Sequence, residues 1–130
     1  MKEEIQSVHA PQPTGPYSQA VKSGPFLFIS GQDGVNPDGT IAGNSLEEQT
    51  TASLKNIESI VLEAEGTIEN IVHMTCHLAD LSEENMKKFN RAYSKFFSNV
   101  KVSPARITVG SQLMESTVEI TAIAYLNAKG

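Results

Sequence analysis

The sequence predicts an α+β fold in which a mixed sheet packs against two helices. Three observations lead there. Apolar, strand-like runs such as "FLFISGQDG" and "VEITAIAYL" punctuate the chain. Two other segments repeat their apolar residues at helical spacing. The two kinds of segment follow the order strand, strand, helix, strand, helix, strand, strand, which suits two layers around one core.

Each element has its own signal. A short first strand is expected at residues 5–8. "APQPTGPYSQ" is rich in Pro and Gly and reads as a rigid surface loop that delivers Tyr17 to a set place. "YSQAVKSG" and "FLFISGQDG" are strands around the turn at Gly24 and Pro25. In "NPDGT", Pro37 presets φ and Gly39 tolerates positive φ, which marks a turn. Ser45 and Glu48 form the S-x-x-E pattern of a capping box. The helix it starts gathers Ser53, Leu54, Ile57, Ile60, Val61 and Ala64 on one face, with Gly66 as its stop.

"IENIVHMTCHLADL" reads as a strand with Val72, Met74, Cys76 and Leu78 on one face. Ser82 caps a second helix, whose face carries Met86, Phe89, Tyr93, Phe96 and Phe97. Pro104 closes the connection to "ARITVG" and "VEITAIAYL". These last strands are expected to form a hairpin with a loop at residues 111–114, placing Arg106 opposite Glu119.

Bulk properties narrow the function. The 130 residues fit one domain, and 39% hydrophobic content supports one core. The net charge of −5 and the lack of Lys or Arg blocks argue against a nucleic-acid partner. Cys76 is the only cysteine, so no intrachain disulfide forms. "MKEEIQSVHAP" lacks the apolar core of a signal peptide, and no run approaches the roughly 18 apolar residues of a membrane span. A soluble, cytoplasmic protein is expected.

Few motifs survive scrutiny. There is no nucleophile elbow, phosphate loop or dinucleotide fingerprint. On a strand, His73 and His77 would lie about 13 Å apart, too far for one zinc ion with bonds of roughly 2.0 Å. Cys76 reads as a small buried apolar residue. Ser30 in "ISGQ" is either an ordinary strand end or a hydroxyl at a loop mouth. Asn90, on the buried side of the second helix, either satisfies a backbone group or points into a pocket. Arg106 and Glu119 also leave two readings. One is a cross-strand ion pair contributing about 0.2–1 kcal/mol. In the other, Arg106 grips a substrate carboxylate and Glu119 orients or deprotonates a water.

"GPYSQAV", "FLFISGQDGVNPDG", "NRAYSKFF", "SPARITV" and "VEITAIA" together resemble the reactive intermediate/imine deaminase family, RidA, also called YjgF. The resemblance covers nearly the whole chain, and "PAR" followed by "VEI" is its most specific signature. It implies a chorismate mutase-like fold and a homotrimer with sites between subunits. It also implies hydrolysis of enamine and imine acids, such as 2-aminoacrylate and its imine tautomer, to 2-keto acids and ammonia. Pyridoxal-phosphate enzymes such as serine and threonine dehydratases release these intermediates, and the family needs no metal or organic cofactor. Less favoured implications are a non-catalytic trimer that binds keto acids and an RNA-cleaving translation inhibitor.

Carried over by motif, the family's arginine matches Arg106 and its glutamate Glu119. Its substrate-binding positions match Tyr17, Ser30, Gly31, Asn90 and Thr108 alongside the arginine. Well-known members carry cysteine where this chain has Thr108, so a role for that thiol does not transfer. Ile107 is bulkier than usual, and the segment from Leu113 to Val118 looks a residue or two short.

Overall fold

The computed structural model describes residues 1–127. Six strands form one sheet: β1 (Lys2–Ile5), β2 (Ala20–Ser23), β3 (Phe26–Asp33), β4 (Ile71–Leu78), β5 (Ala105–Gly110) and β6 (Val118–Tyr125), in the spatial order β1-β2-β3-β6-β4-β5. β4 and β5 run parallel, and every other neighbouring pair is antiparallel. Helices α1 (Leu46–Glu63) and α2 (Glu83–Phe96) pack on one another, and α1 lies across β3 and β6. The mixed sheet under two helices is therefore observed.

The helices begin where local chemistry says they should. Ser45 accepts from the Glu48 N–H while the Glu48 carboxylate accepts from the Ser45 N–H, closing the capping box. Ser82 caps α2 through the Asn85 N–H. Leu54, Ile57, Ile60 and Val61 of α1 are fully buried, as are Phe89 and, nearly so, Tyr93 of α2. They meet Leu27, Met74, Cys76, Val118, Ile120 and Ala124 from the sheet.

α1 ends at Glu63, and the left-handed turn that follows falls one residue before the expected glycine. Glu65 takes the left-handed conformation at φ 66°, and the Gly66 N–H reaches back to the Val61 carbonyl. Gly66 is needed for space instead, because a Cβ there would lie 2.7 Å from Leu126 Cδ2.

Several expectations are corrected. The first strand is Lys2–Ile5, so only Ile5 of the expected segment is in it. Val72 is exposed rather than on the core face, because a register shift between Ile71 and His73 gives Ile71 the buried place. The largest correction concerns the last two strands. β5 and β6 form no hairpin, because β4 lies between them and pairs with both. Residues 111–117 carry the chain past β4, tied by Ser111 N–H to the Leu78 carbonyl and Ala79 N–H to the Thr117 carbonyl. Period-two alternation gives a strand its faces but does not name its neighbours.

The helices cover only one face of the sheet. On the other, Phe26, Phe28 and Tyr125 stand 41–47% exposed, with the Phe26 and Tyr125 rings packed edge to face at 5.3 Å. Among the described residues, no helix is long and apolar enough to cross a membrane.

Candidate functional site

The first part of the site grows from an irregularity in β3. Ile29 pairs with Ala122 and Gln32 with Ile120, so Ser30 and Gly31 together oppose Thr121. This is a bulge, which re-aims side chains locally. Ser30 is locked by its hydroxyl donating to the Ser18 carbonyl at 2.6 Å, and its N–H donates to the Gln19 carbonyl. Gly31 provides room: a Cβ there would sit 2.3 Å from Glu119 Oε2. The Glu119 carboxylate thus lies directly over the Gly31 backbone.

Gly31, Glu119 and the half-exposed Tyr17 border a cleft of about 710 Å³. Asp33, Asp38 and Glu115 also face it, so it is strongly acidic. Asp33 pairs directly with Glu119 across β3 and β6. Loss of solvent within the cleft, and then the charges of Glu119 and Glu115, push the Asp33 carboxyl up to about 6. Beyond Glu119 in the same row lies His77, whose Nδ1 is 2.8 Å from Ser111 Oγ.

The second part lies at the β5 edge. Arg106 and Thr108 pair with Met74 and Cys76, whose side chains are in the core, so both point toward the helices. The Arg106 guanidinium carbon rests 4.8 Å from the Tyr93 ring centre and 5.3 Å from that of Phe89. No carboxylate is within ion-pair distance of it among the described residues, where the ion pair found is Arg91 with Glu47. Asn90 Oδ1 and Thr108 Oγ1 are buried without a hydrogen-bond partner. Unpaired buried acceptors flanking an unpaired guanidinium suit a ligand that donates as well as accepts.

Nearby Cys76 is no nucleophile. Burial pushes its thiol up to about 12, although the Arg106 charge pulls the other way. Burial, followed by Cys76, likewise raises the Tyr93 phenol to about 12 against the pull of Arg106.

The candidate residues therefore fall into two separate groups within a chain. Tyr17, Gly31 and Glu119 come together with Ser30 beneath them. Arg106, Asn90 and Thr108 do not join them. Glu119 is in register with His77, and Arg106 with Met74, on opposite faces of the sheet. Three residues along the strand and two strand spacings across it separate their Cα atoms by about 14 Å. The expected pairing of Arg106 with Glu119 is thus absent within a chain, and with it the ion-pair reading.

His73 and His77 both lie on β4, as a strand would have them. Among the described residues, no group of three or more His, Cys, Asp or Glu is placed to hold a metal ion. A separate groove of about 680 Å³ between α1, α2 and residues 35–42 contains the Arg91–Glu47 pair but none of the candidate residues. Sequence reasoning missed Asp33 and Glu115. Asp33 stands two places after Gly31, and only the β3–β6 register reveals it as a neighbour of Glu119.

Known proteins share this fold. A family model described as Endoribonuclease L-PSP matches residues 7–126. A RutC family protein of Aquifex aeolicus is 41% identical over 124 residues, spanning 92% of this chain and 98% of that one. The chloroplastic Reactive Intermediate Deaminase A of Arabidopsis thaliana is 37% identical over 128 residues, covering 96% of this chain and 66% of the relative. The crystal structure of Escherichia coli TdcF with bound serine superposes with a TM-score of 0.89 at 32% identity, covering 96% of this chain and 99% of TdcF. With the family model spanning nearly the whole chain and relatives above a third identical over almost its full length, the chain belongs to the endoribonuclease L-PSP family, the YjgF/RidA group.

Proposed function

We propose that this protein is a 2-iminobutanoate/2-iminopropanoate deaminase, hydrolysing enamine and imine acids to 2-keto acids and ammonia in sites formed between the subunits of a homotrimer. The observation that carries this reading is the split site. Arg106 has no ion-pair partner among the described residues, and Glu119 is a carboxylate in an open cleft on the other sheet face. A second copy of the chain is the simplest way to bring an Arg106 to a Glu119, and a closed ring does so for every copy. The exposed Phe26, Phe28 and Tyr125 give the bare face an apolar surface to cover. A plant relative named for reactive-intermediate deamination supports the reaction class, and TdcF with serine supports a small amino-acid-like ligand.

The chemistry follows from the groups. Arg106 offers a planar, permanently charged fork to the substrate carboxylate. Asn90 and Thr108 supply unpaired oxygen atoms beside it. The substrate is a protonated imine, already electrophilic, so no covalent nucleophile is needed. Glu119 takes a proton from water as the water oxygen bonds to the imine carbon. The C=N π electrons move to nitrogen, giving a tetrahedral amino alcohol. Glu119 then returns the proton to nitrogen, and as the C–N bond breaks and ammonia leaves, the hydroxyl proton passes to Glu119 and the 2-keto acid forms. Tyr17 and the Gly31 backbone border the space where the water would stand. Held geometry supplies most of the acceleration.

Acidic cleft walls repel phosphodiesters, so RNA cleavage gains no support from this site. The test couples a pyridoxal-phosphate serine or threonine dehydratase to the purified protein and measures competition with a trapping nucleophile for the free imine. Faster keto-acid release and less trapped adduct are expected. Keto-acid binding without acceleration would replace the deaminase reading with a regulatory one.

A further inference from the structure

The carboxylate cleft is held by a side chain that none of its chemistry requires. Gln49 lies in the second turn of α1, only 4% exposed. Its Oε1 accepts from the Thr117 N–H at 2.8 Å, the Thr117 hydroxyl at 2.7 Å and the Ser116 hydroxyl at 3.3 Å. Its Nε2 donates to the Gly43 carbonyl at 3.1 Å. Ser116, itself 4% exposed, accepts from the Gly34 N–H at 2.8 Å. Gly34 has no room for a side chain, because a Cβ there would lie 2.3 Å from Gln49 Cβ.

These bonds join three separate segments, two of which border the cleft. Gly34 follows Asp33 at the end of β3. Gly43 belongs to the loop leading into α1. Ser116 and Thr117 lead directly into β6, two residues before Glu119. Met114, Glu115 and Ser116 on the same loop border the cleft. A helix is rigid and a loop is not, so the amide fixes the loop to the helix. One carbonyl oxygen gathers three donors, and the Ser116 hydroxyl, which also reaches the Val118 carbonyl at 2.7 Å, ties the same network into the start of β6.

We propose that Gln49 is a positioning residue: it fixes the entry of β6 and thereby the placement of the Glu119 carboxylate over Gly31, without touching substrate. The inference rests on the deaminase reading and deepens it. It also explains how a short segment from Leu113 to Val118 still presents Glu119 in a defined place. Arg106 belongs to the other half-site and is untouched by this network. Loss of Gln49 should therefore weaken catalysis more than carboxylate capture.

The test compares wild type with Gln49→Met, Gln49→Glu and Thr117→Val. Wild-type deamination is measured first, and its absence would refute the functional reading itself. In active protein, Gln49→Met removes every polar bond at similar volume. Turnover should fall about 10- to 100-fold with KM nearly unchanged, because small displacements of a working group are costly. Gln49→Glu keeps an acceptor oxygen for Ser116 and Thr117 and should recover part of the turnover. If Gln49→Met does not fold, Thr117→Val removes one donor and should show the same kcat-selective loss on a smaller scale. The proposal is overturned if kcat per folded protein is unchanged while thermal stability falls. It is equally overturned if KM alone rises, or if Gln49→Glu recovers nothing that Thr117→Val retains.

Discussion

Substitution of Arg106 separates its structural and functional contributions in magnitude. Structurally, the guanidinium contributes its stacking on Phe89 and Tyr93, since it has no ion pair among the described residues. Cation–π contacts of this kind contribute about 0.5–2 kcal/mol. Arg106→Ala should therefore lower stability by about 1–2 kcal/mol, and Arg106→Lys by less, because a cation over the rings remains. Functionally, the loss should be larger. A forked pair to a substrate carboxylate contains two charged hydrogen bonds, each worth about 1.5–3 kcal/mol. Removing both predicts a loss of kcat/KM of at least about 10²-fold in Arg106→Ala. Arg106→Lys should also lose most activity, since a point charge cannot reproduce the fork. The assay is the dehydratase-coupled hydrolysis, with mass by light scattering and thermal midpoint taken on the same sample. An amine analogue without a carboxylate should be a poor substrate, turned over equally by both proteins. A folded, correctly assembled Arg106→Ala with full activity would refute the carboxylate-clamp reasoning.

Three further outcomes test neighbouring claims. Arg106→Ala and Glu119→Gln should each be inactive, yet co-refolding them in equal amounts should restore about a quarter of the sites, because random assembly pairs an intact Arg106 with an intact Glu119 that often; no recovery despite subunit exchange would refute a site shared between subunits. Gly31→Ala puts a Cβ 2.3 Å from Glu119 Oε2 and 2.8 Å from its Cδ, so the carboxylate must swing away and turnover should fall about 10- to 100-fold; unimpaired turnover would show that the placement over Gly31 does not matter. Asp33 titrates near 6 in the folded chain against an ordinary 3.8, so the folded state binds its proton more tightly and stability falls as pH rises between those values. Asp33→Asn should consequently gain up to about 1 kcal/mol above pH 6, a figure reduced for the exposure of the group, and nothing below about pH 4. Thermal midpoints across that range check the claim, and a gain independent of pH would contradict it.

Legibility in the sequence follows the range of the interaction. The Ser45–Glu48 box, the Ser82 cap and both helical faces are set within a turn or two of chain and could be read directly. Val72 could not, because the shift that exposes it exists only against β6, some fifty residues away in sequence. The same limit misplaced β5 beside β6. Arg106 and Glu119 stood out as charges in strand-like runs, and resemblance gave them roles, but neither signal shows that they face opposite ways. Gln49 is the clearest omission. In a helix it is an unremarkable amide, and its importance comes from Thr117, distant in sequence but 2.8 Å away in space.

The bulge at Ser30 and Gly31 works as a phase shifter. Before it, Leu27 and Ile29 point into the core, and after it Gln32 does, leaving Asp33 outside beside Glu119. Strict alternation would put Asp33 into the apolar interior. The inserted residue lets the first half of β3 keep the rhythm demanded by the core while the second half keeps the opposite rhythm demanded by the cleft. Deleting either bulge residue would leave plain alternation, with Leu27, Ile29 and Gln32 still inward and Asp33 outward, but would remove the extra residue that lets bare backbone lie under Glu119.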